Sequence, residues 1–151
     1  AVKNPSNFLY SIGTSYQELI DAAGGFKSQP EKIISGGPMM GFAMFGLDIP
    51  TTKTSSSILC FTKDEVTQFE PLACINCGRC VEACPEQLIP SRLAKFATNG
   101  LMSEFEKWHG LECIECGSCT FACPSRRQVA QPIKTMKKLT LAEKRKQASK
   151  K

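Results

Sequence analysis

Eight of the nine cysteines fall into two copies of one spacing, and this feature limits the possible folds more than any other. Each copy reads Cys-x2-Cys-x2-Cys-x3-Cys-Pro, which is the ligand spacing of bacterial [4Fe–4S] proteins. The first run comprises Cys74, Cys77, Cys80 and Cys84, and the second comprises Cys113, Cys116, Cys119 and Cys123. Two runs predict two cubane clusters held close together, with the chain folded around them.

The spacing also predicts which cysteines share a cluster. In two-cluster proteins of this type, the fourth cysteine of each run ligates the cluster of the other run. We therefore predict one cluster on Cys74, Cys77, Cys80 and Cys123, and a second on Cys113, Cys116, Cys119 and Cys84. Such crossed ligation would make metal binding and folding depend on each other. We predict an apolar shell around the clusters made of Ile75, Val81, Ala83, Ile114, Phe121 and Ala122.

Zinc and disulfides are the alternatives for so many cysteines. A zinc site commonly pairs two Cys-x2-Cys units across a longer gap, or uses histidine. Here three cysteines share each x2 spacing, and His109 is the single histidine. Disulfides are typical of small secreted domains, and no signal-peptide pattern is expected at this N-terminus. The cysteine pattern therefore favours iron–sulfur clusters, and with no other catalytic motif it predicts an electron carrier without catalytic side chains.

Length and charge set further limits. The 151 residues allow one domain or two small ones, and the apolar content of 42% allows a core. The sequence contains no run of 18 apolar residues, so it predicts no membrane-spanning helix. The chain begins with Ala1 rather than Met, so we expect a fragment of a longer protein. The net charge is −2 for residues 1–70 and +7 for residues 71–151.

The first part of the chain has the pattern of a small α+β module. We predict strands over residues 8–12, 32–35, 44–49 and 57–61. The segment Ser15-x-x-Glu18 is a capping box that predicts the start of a helix, and Gly24-Gly25 predicts its end. A glycine-rich turn over residues 36–41 lies between two of the strands.

The 28 residues between Cys84 and Cys113 make a longer connection than a compact bacterial ferredoxin uses. We predict a helix over residues 91–98, and a second helix capped by Ser103-x-x-Glu106. This pair indicates a mainly helical ferredoxin domain. The repeat is predicted to be confined to the cysteine runs.

A capping box at Thr62-x-x-Glu65 predicts a short helix that stops before Pro71, and the domain boundary is placed near it. The predicted fold class is α+β. The predicted domains are a small α+β module over residues 1–65, a two-cluster domain over residues 66–135 and a basic tail over residues 136–151.

The chain resembles the family of C subunits of Rnf-type complexes. The segment Gly-Gly-Pro-Met-Met-Gly at residues 36–41, followed by Asp48-Ile49-Pro50 and Lys53, is similar to their β-grasp (SLBB) region. The segment Ile12-Gly13-Thr14 and both cysteine runs fit the same pattern. The resemblance covers nearly the whole chain except the tail, and it identifies residues 1–65 as a β-grasp (SLBB-like) module.

The resemblance implies a function. Rnf complexes are membrane-bound ferredoxin:NAD⁺ oxidoreductases that couple electron flow to ion transport, and the family member that this chain resembles is peripheral on the cytoplasmic face. FMN and NADH are implied only for an N-terminal region of the parent protein that is missing here. This chain lacks a G-x-G-x-x-G fingerprint as well. The expected partners are other subunits of the complex and a ferredoxin-type carrier, and neither nucleic acid nor a membrane span is expected.

Two other interpretations remain at this stage. A cobalamin-reductase subunit of bacterial microcompartments has the same order of modules, but the regular spacing of both runs favours the Rnf type. A non-redox interaction module stapled by metal would instead hold zinc, or clusters that cannot be reduced reversibly.

Overall fold

The structure is a computed structural model that describes residues 1–64 and 69–149. The chain divides into two compact units, residues 1–68 and residues 69–151, which we call the N-terminal and C-terminal units. A small antiparallel sheet is followed by several helices, so the predicted α+β class is confirmed. The helix predicted to start at the capping box ending in Glu65 lies outside the described residues.

Helix α1 of the N-terminal unit spans Tyr16–Ala22 and has the predicted ends. The Glu18 N–H donates to Ser15 Oγ at 3.1 Å, and the Ser15 N–H donates to the Glu18 carboxylate at 2.9 Å. This reciprocal pair satisfies two of the N–H groups that a helix start leaves without partners. At the other end Gly24 has φ of +83°, a conformation that glycine adopts without strain.

Three short strands form the sheet of this unit: β1 (Lys32–Ser35), β2 (Phe42–Met44) and β3 (Ile58–Phe61). Their order is β2-β1-β3, and both pairings are antiparallel. β1 has the predicted bounds, and β3 begins one residue later than predicted. The glycine-rich turn joins β1 to β2, and a Cβ on Gly41 would lie 2.6 Å from the Ser35 carbonyl oxygen.

Two predicted strands are wrong. Residues 8–12 form no strand, because Leu9 and Ile12 are exposed and bury no apolar face. The strand predicted over residues 44–49 is instead β2, which begins immediately after the turn. Beyond it the backbone serves α1: the carbonyls of Leu47 and Ile49 accept hydrogen bonds from N–H groups of the first helical turn, each at 3.1 Å. Those donors have no partner within the helix, so this segment caps the helix rather than extending the sheet.

Five helices make up the described part of the C-terminal unit: α2 (Arg79–Glu82), α3 (Pro90–Thr98), α4 (Met102–Lys107), α5 (Ser118–Phe121) and α6 (Ala130–Ala148). A 3₁₀ turn, Gly110–Glu112, follows α4. The helical pair predicted between the cysteine runs is α3 and α4. The capping box predicted for α4 is wrong, because Ser103 lies inside the helix and Leu101 occupies the cap without a side-chain hydrogen bond.

The core of this unit lies between α3, α4 and α6. Leu93, Phe105 and Ile133 are its most buried apolar side chains, and Phe105 has an exposed fraction of 0%. Helix α6 runs past residue 135, where the two-cluster domain was predicted to end, and it buries Met136 and Thr140. Burial of these side chains ties the first part of the predicted basic tail to the core.

The repeat extends further in the backbone than in the sequence. Asn76 and Glu115, at equivalent places in the two runs, have φ of +53° and +60°. Gln87 and Arg126, past the ends of the runs, have φ of +53° and +51°. A longer helix, α3 or α6, then begins within four residues. The backbone conformation therefore repeats beyond the cysteine runs to which the sequence repeat was predicted to be confined.

Candidate metal centre

The eight cysteines of the two runs line two cavities of the C-terminal unit, four cysteines to each cavity. The first cavity is lined by Cys74, Cys77, Cys80 and Cys123. The second cavity is lined by Cys113, Cys116, Cys119 and Cys84. Each cavity thus receives three thiols from one run and the fourth from the other. The ninth cysteine, Cys60, lies on β3 of the N-terminal unit and lines neither cavity.

The local sequence explains how three thiols of one run reach one cavity. Residues with positive φ alternate with cysteines, and Gly78 and Gly117 then start the single-turn helices α2 and α5. These glycines adopt φ of +79° and +82°, which other residues would adopt only with strain. The chain therefore curls around the cavity and presents its first two cysteines from a loop and its third from a helix. The fourth cysteine follows the helix and reaches across to the other cavity.

The two cavities differ in exposure. In the first cavity Cys74 and Cys77 are exposed, whereas in the second Cys119 has an exposed fraction of only 8%. Burial raises the pKa of the Cys119 thiol to about 11. Burial also raises the pKa of Cys113, although the N–H of Glu115 and the ammonium of Lys137 act in the opposite direction. A metal must displace protons from these thiols, so metal binding at the second cavity is coupled to proton release.

The walls of the cavities differ in the same sense. Apolar side chains of the second cavity come from both long helices and the flanking loops: Leu88, Leu93, Ile114, Ala130 and Ile133. The first cavity has more polar and charged wall residues: Asn76, Ser91, Ser125 and Arg127. A protein medium that excludes water and places charges near a cluster sets its potential, so the two cavities offer different environments.

The predicted apolar shell is only partly found. Ile75 and Val81 line the first cavity and Ile114 lines the second, although Ile75 has an exposed fraction of 66%. Phe121 is wrong as a shell residue, because it is 82% exposed and lines neither cavity. The exposed face of the single-turn helix α5 carries it outward.

Sequence reasoning missed the helix residues of the walls. Leu93 lies in the helix predicted over residues 91–98, but that helix was not predicted to line a metal site. Val129 and Ile133 lie at the start of α6, where no helix was predicted. The repeat itself could have indicated these residues. A long helix follows the Cys-Pro end of each cysteine run, α3 after the first and α6 after the second. Because the runs are equivalent, the two helices are expected to pack against the cavities in an equivalent way.

Lys137 of α6 contacts the loop of the second run. Its ammonium donates to the Cys113 carbonyl oxygen at 2.6 Å. The Glu115 carboxylate lies 4.0 Å from the same ammonium. His109, in contrast, is exposed, bonds Glu112 at 2.8 Å and lines neither cavity.

The donor set fits iron–sulfur clusters. Each cavity brings four thiols to one space, which is the number of thiolates that ligate a [4Fe–4S] cluster. Among the described residues, no three Cys, His, Asp or Glu side chains converge as a single ion would require. A cubane spreads its four thiolates over four separate irons, so it does not require the thiols to converge on one point.

Comparison with known families defines the class of protein. Residues 1–43 match the SLBB domain family, and residues 73–129 match the 4Fe-4S dicluster domain family. The chain therefore combines an SLBB segment with a dicluster iron–sulfur domain, and iron–sulfur clusters are its expected cofactors.

Three curated relatives are informative, and each is the C subunit of its complex. The relative from the proton-translocating ferredoxin:NAD(+) oxidoreductase complex of Clostridium ljungdahlii is 52% identical, over 69% of this chain and 23% of that relative. The relative from the Na(+)-translocating ferredoxin:NAD(+) oxidoreductase complex of Acetobacterium woodii is 44% identical, over 97% of this chain and 33% of that relative. The relative from the ion-translocating oxidoreductase complex of Methanosarcina acetivorans is 36% identical, over 72% of this chain and 24% of that relative.

This chain is similar to the C subunits of ion-translocating oxidoreductase complexes, two of which are named ferredoxin:NAD(+) oxidoreductases. It spans about a quarter to a third of the length of these relatives. In the part of the chain that the structure describes, no helix combines the length and hydropathy needed to span a bilayer.

Proposed function

We propose that this chain relays single electrons through two [4Fe–4S] clusters, one at each cavity, within an ion-translocating ferredoxin:NAD(+) oxidoreductase complex. The grouping of the cysteines supports this proposal best. Each cavity combines three thiols of one run with the fourth of the other, as crossed ligation in two-cluster proteins requires.

The side chains of the cavities have separate tasks in this proposal. Thiolates of Cys74, Cys77, Cys80 and Cys123 would hold one cluster, and thiolates of Cys113, Cys116, Cys119 and Cys84 would hold the other. Bound clusters supply one-electron oxidation and reduction. Leu93 and Ile133 exclude water from the second cavity, and the two helices that carry them fix the cavities relative to each other. No proton donor or nucleophile is required, so the chain's part is to set distance, environment and docking surface.

The wider assignment follows from the relatives. We infer that the partners are other subunits of a membrane-associated complex and that a ferredoxin-type carrier exchanges electrons with it. We assign the chain to the cytoplasmic face of the membrane as a peripheral component. NADH and FMN would bind to parts of the parent protein that this chain does not span. A relay that receives electrons from a flavin needs clusters that accept one electron at a time, as [4Fe–4S] clusters do.

Anaerobic maturation of the chain tests the proposal. We expect about eight irons per chain and, after dithionite reduction, an EPR spectrum of two interacting reduced clusters. Zinc in place of iron, or iron that is not reversibly reduced, would instead favour a metal-stapled interaction module. A folded preparation that binds no metal after full maturation would contradict both interpretations.

Three substitutions test which cysteines share a cluster. Cys84→Ser should remove the same EPR component as Cys113→Ser, and Cys74→Ser should remove the other one. Cys60→Ser is the matched control, because Cys60 lies in the N-terminal unit and lines neither cavity, and it should leave about eight irons. If Cys84→Ser removes the component that Cys74→Ser removes, crossed ligation is wrong.

A further inference from the structure

The second cavity has a cation held against its ligand loop. Lys137 lies on α6, and its ammonium is fixed by a 2.6 Å hydrogen bond to the Cys113 carbonyl oxygen. The Lys137 side chain has an exposed fraction of 20%. Lys138, the next residue on the same helix, is exposed. One of two adjacent lysines is therefore committed to the loop that carries the first cysteine of the second run.

A fixed positive charge at this place has a defined electrical effect. Reduction of an iron–sulfur cluster adds one negative charge, and nearby charges, hydrogen bonds and solvent exposure set how favourable that addition is. Water and dissolved ions screen a half-buried charge less than a fully exposed one. The ammonium of Lys137 should therefore favour the reduced state of a cluster bound by Cys113.

The same loop carries a charge of opposite sign. Glu115 lies between Cys113 and Cys116, lines the second cavity and has an exposed fraction of 28%. Its carboxylate is 4.0 Å from the Lys137 ammonium. Since Cys113 and Glu115 line the second cavity and neither lines the first, both charges should act mainly on the second cluster.

We propose that Lys137 raises the reduction potential of the cluster at the second cavity and that Glu115 lowers it, so that this pair tunes the second cluster relative to the first. The inference rests on the proposed function, because it requires reducible clusters at both cavities. Lys137 is a positioning residue in this role: it contacts the ligand loop and is not itself a ligand.

The first cavity supplies an independent reference. Arg127 lines it, whereas the adjacent Arg126 stacks on Phe69 with its guanidinium carbon 3.2 Å from the ring centroid. Arg127 is thus the counterpart of Lys137 at the other cluster. Removing the charge of Arg127 should change the potential of the first cluster, and removing the charge of Lys137 should change that of the second. The two variants therefore identify which EPR component belongs to which cavity.

The experiment measures both potentials by EPR-monitored redox titration of the intact chain carrying its clusters. Lys137→Gln should lower one potential, with the equilibrium constant for reduction falling roughly threefold to tenfold, or ~28–59 mV for one electron. Glu115→Gln should raise the same potential, and Lys137→Arg should restore most of the wild-type value. Lys138→Gln is the matched control and should change neither potential. Arg127→Gln should lower the other potential.

The outcomes separate this inference from the function on which it rests. Wild-type protein without two reversibly reducible clusters would overturn the proposed function, and this inference with it. Two such clusters whose potentials are unchanged by Lys137→Gln, or are changed equally by Lys138→Gln, would overturn the inference alone. If Lys137→Gln loses iron, Glu115→Gln is the deciding variant. A rise in the potential of the second cluster supports the inference, because a purely structural role for this ion pair does not predict such a rise, and an unchanged potential overturns it.

Discussion

The N-terminal and C-terminal units reach stability by different means. The N-terminal unit buries Tyr16, Ile20 and Ile34, and the Tyr16 hydroxyl bonds the buried Ser35 hydroxyl in its interior. The C-terminal unit has a helical core, but it also brings eight thiols to two cavities lined from several elements. The C-terminal unit is thus arranged around two spaces for cofactors held by four thiolates each, whereas Cys60 is the one cysteine among the described residues of the N-terminal unit.

This difference teaches where the free energy of folding must come from. Small units bury a limited fraction of their apolar surface, and metal binding commonly supplies the rest. In the C-terminal unit two of the helices next to the cavities, α2 and α5, have four residues each. Helices of that length are unstable alone, so we expect them to depend on ligation.

Removal of iron should have the largest effect on the comparison. Chelation of the loaded protein under reducing conditions should unfold much of the C-terminal unit, because both cavities are lined by cysteines from both runs, and leave the N-terminal unit folded. Hydrogen exchange would show this as loss of protection in α2 and α5 with retained protection in α1 and β1. Equal loss of protection in both units would show that they fold as one, and the comparison would then be wrong.

Truncation of Phe105 should have the next largest effect. Phe105 is fully buried, and a Cβ on the nearby Gly110 would meet its ring. Phe105→Ala should leave a cavity and destabilise the C-terminal unit by about 3–5 kcal/mol. Unfolding of the C-terminal unit in denaturant can be measured as the loss of the visible absorbance of its clusters. The amide exchange of α1, in the N-terminal unit, should not change.

Phe105→Leu is the control for the size of the side chain. It keeps an apolar group at the site, so its denaturation midpoint should lie between those of the wild type and Phe105→Ala. An alanine variant as stable as the wild type would mean that the helical core contributes little beside metal ligation.

A smaller effect is expected from the polar centre of the N-terminal unit. Tyr16 Oη bonds Ser35 Oγ at 2.6 Å and Ser55 Oγ at 2.8 Å. Tyr16→Phe leaves the buried Ser35 hydroxyl without this partner, so it should destabilise the unit by about 1–3 kcal/mol. Tyr10→Phe is the control, because Tyr10 makes one partly buried bond to the Ser55 carbonyl. Urea denaturation followed by exchange at β1 should show the larger loss for Tyr16→Phe.

The two units also differ in how well sequence predicts them. In the N-terminal unit, α1, β1 and β3 were predicted, because a capping box, paired glycines and short apolar runs are local signals. The strands predicted over residues 8–12 and 44–49 failed, since both segments are rich in apolar residues but one is exposed and the other bonds the start of α1. Long-range hydrogen bonding decided these segments, and no local pattern contains it.

In the C-terminal unit each cavity is lined by three cysteines of one run and the fourth of the other, and the shared ligation of clusters stays a prediction of the cysteine spacing. The spacing could not predict the walls, because Val129, Ile133 and Arg127 reach the cavities through the packing of α6. Ser103 failed as a cap since α4 begins one residue earlier, at Met102. A ligand pattern therefore identifies the site, while its electrostatic environment depends on tertiary packing.

The smallest predicted effect compares one buried threonine in each unit. Thr51 has an exposed fraction of 2%, and its Oγ1 has no hydrogen-bond partner among the described residues. Thr140 is equally buried, but its Oγ1 donates to the Met136 carbonyl at 2.8 Å. Thr51→Val removes an unpaired hydroxyl at nearly constant volume and should stabilise the N-terminal unit by about 1 kcal/mol. Thr140→Val removes a bonded hydroxyl, and we expect it to destabilise the C-terminal unit by about 0.5–1.5 kcal/mol. Denaturant midpoints for each unit measure both changes, and a destabilised Thr51→Val would show that this hydroxyl is bonded in solution.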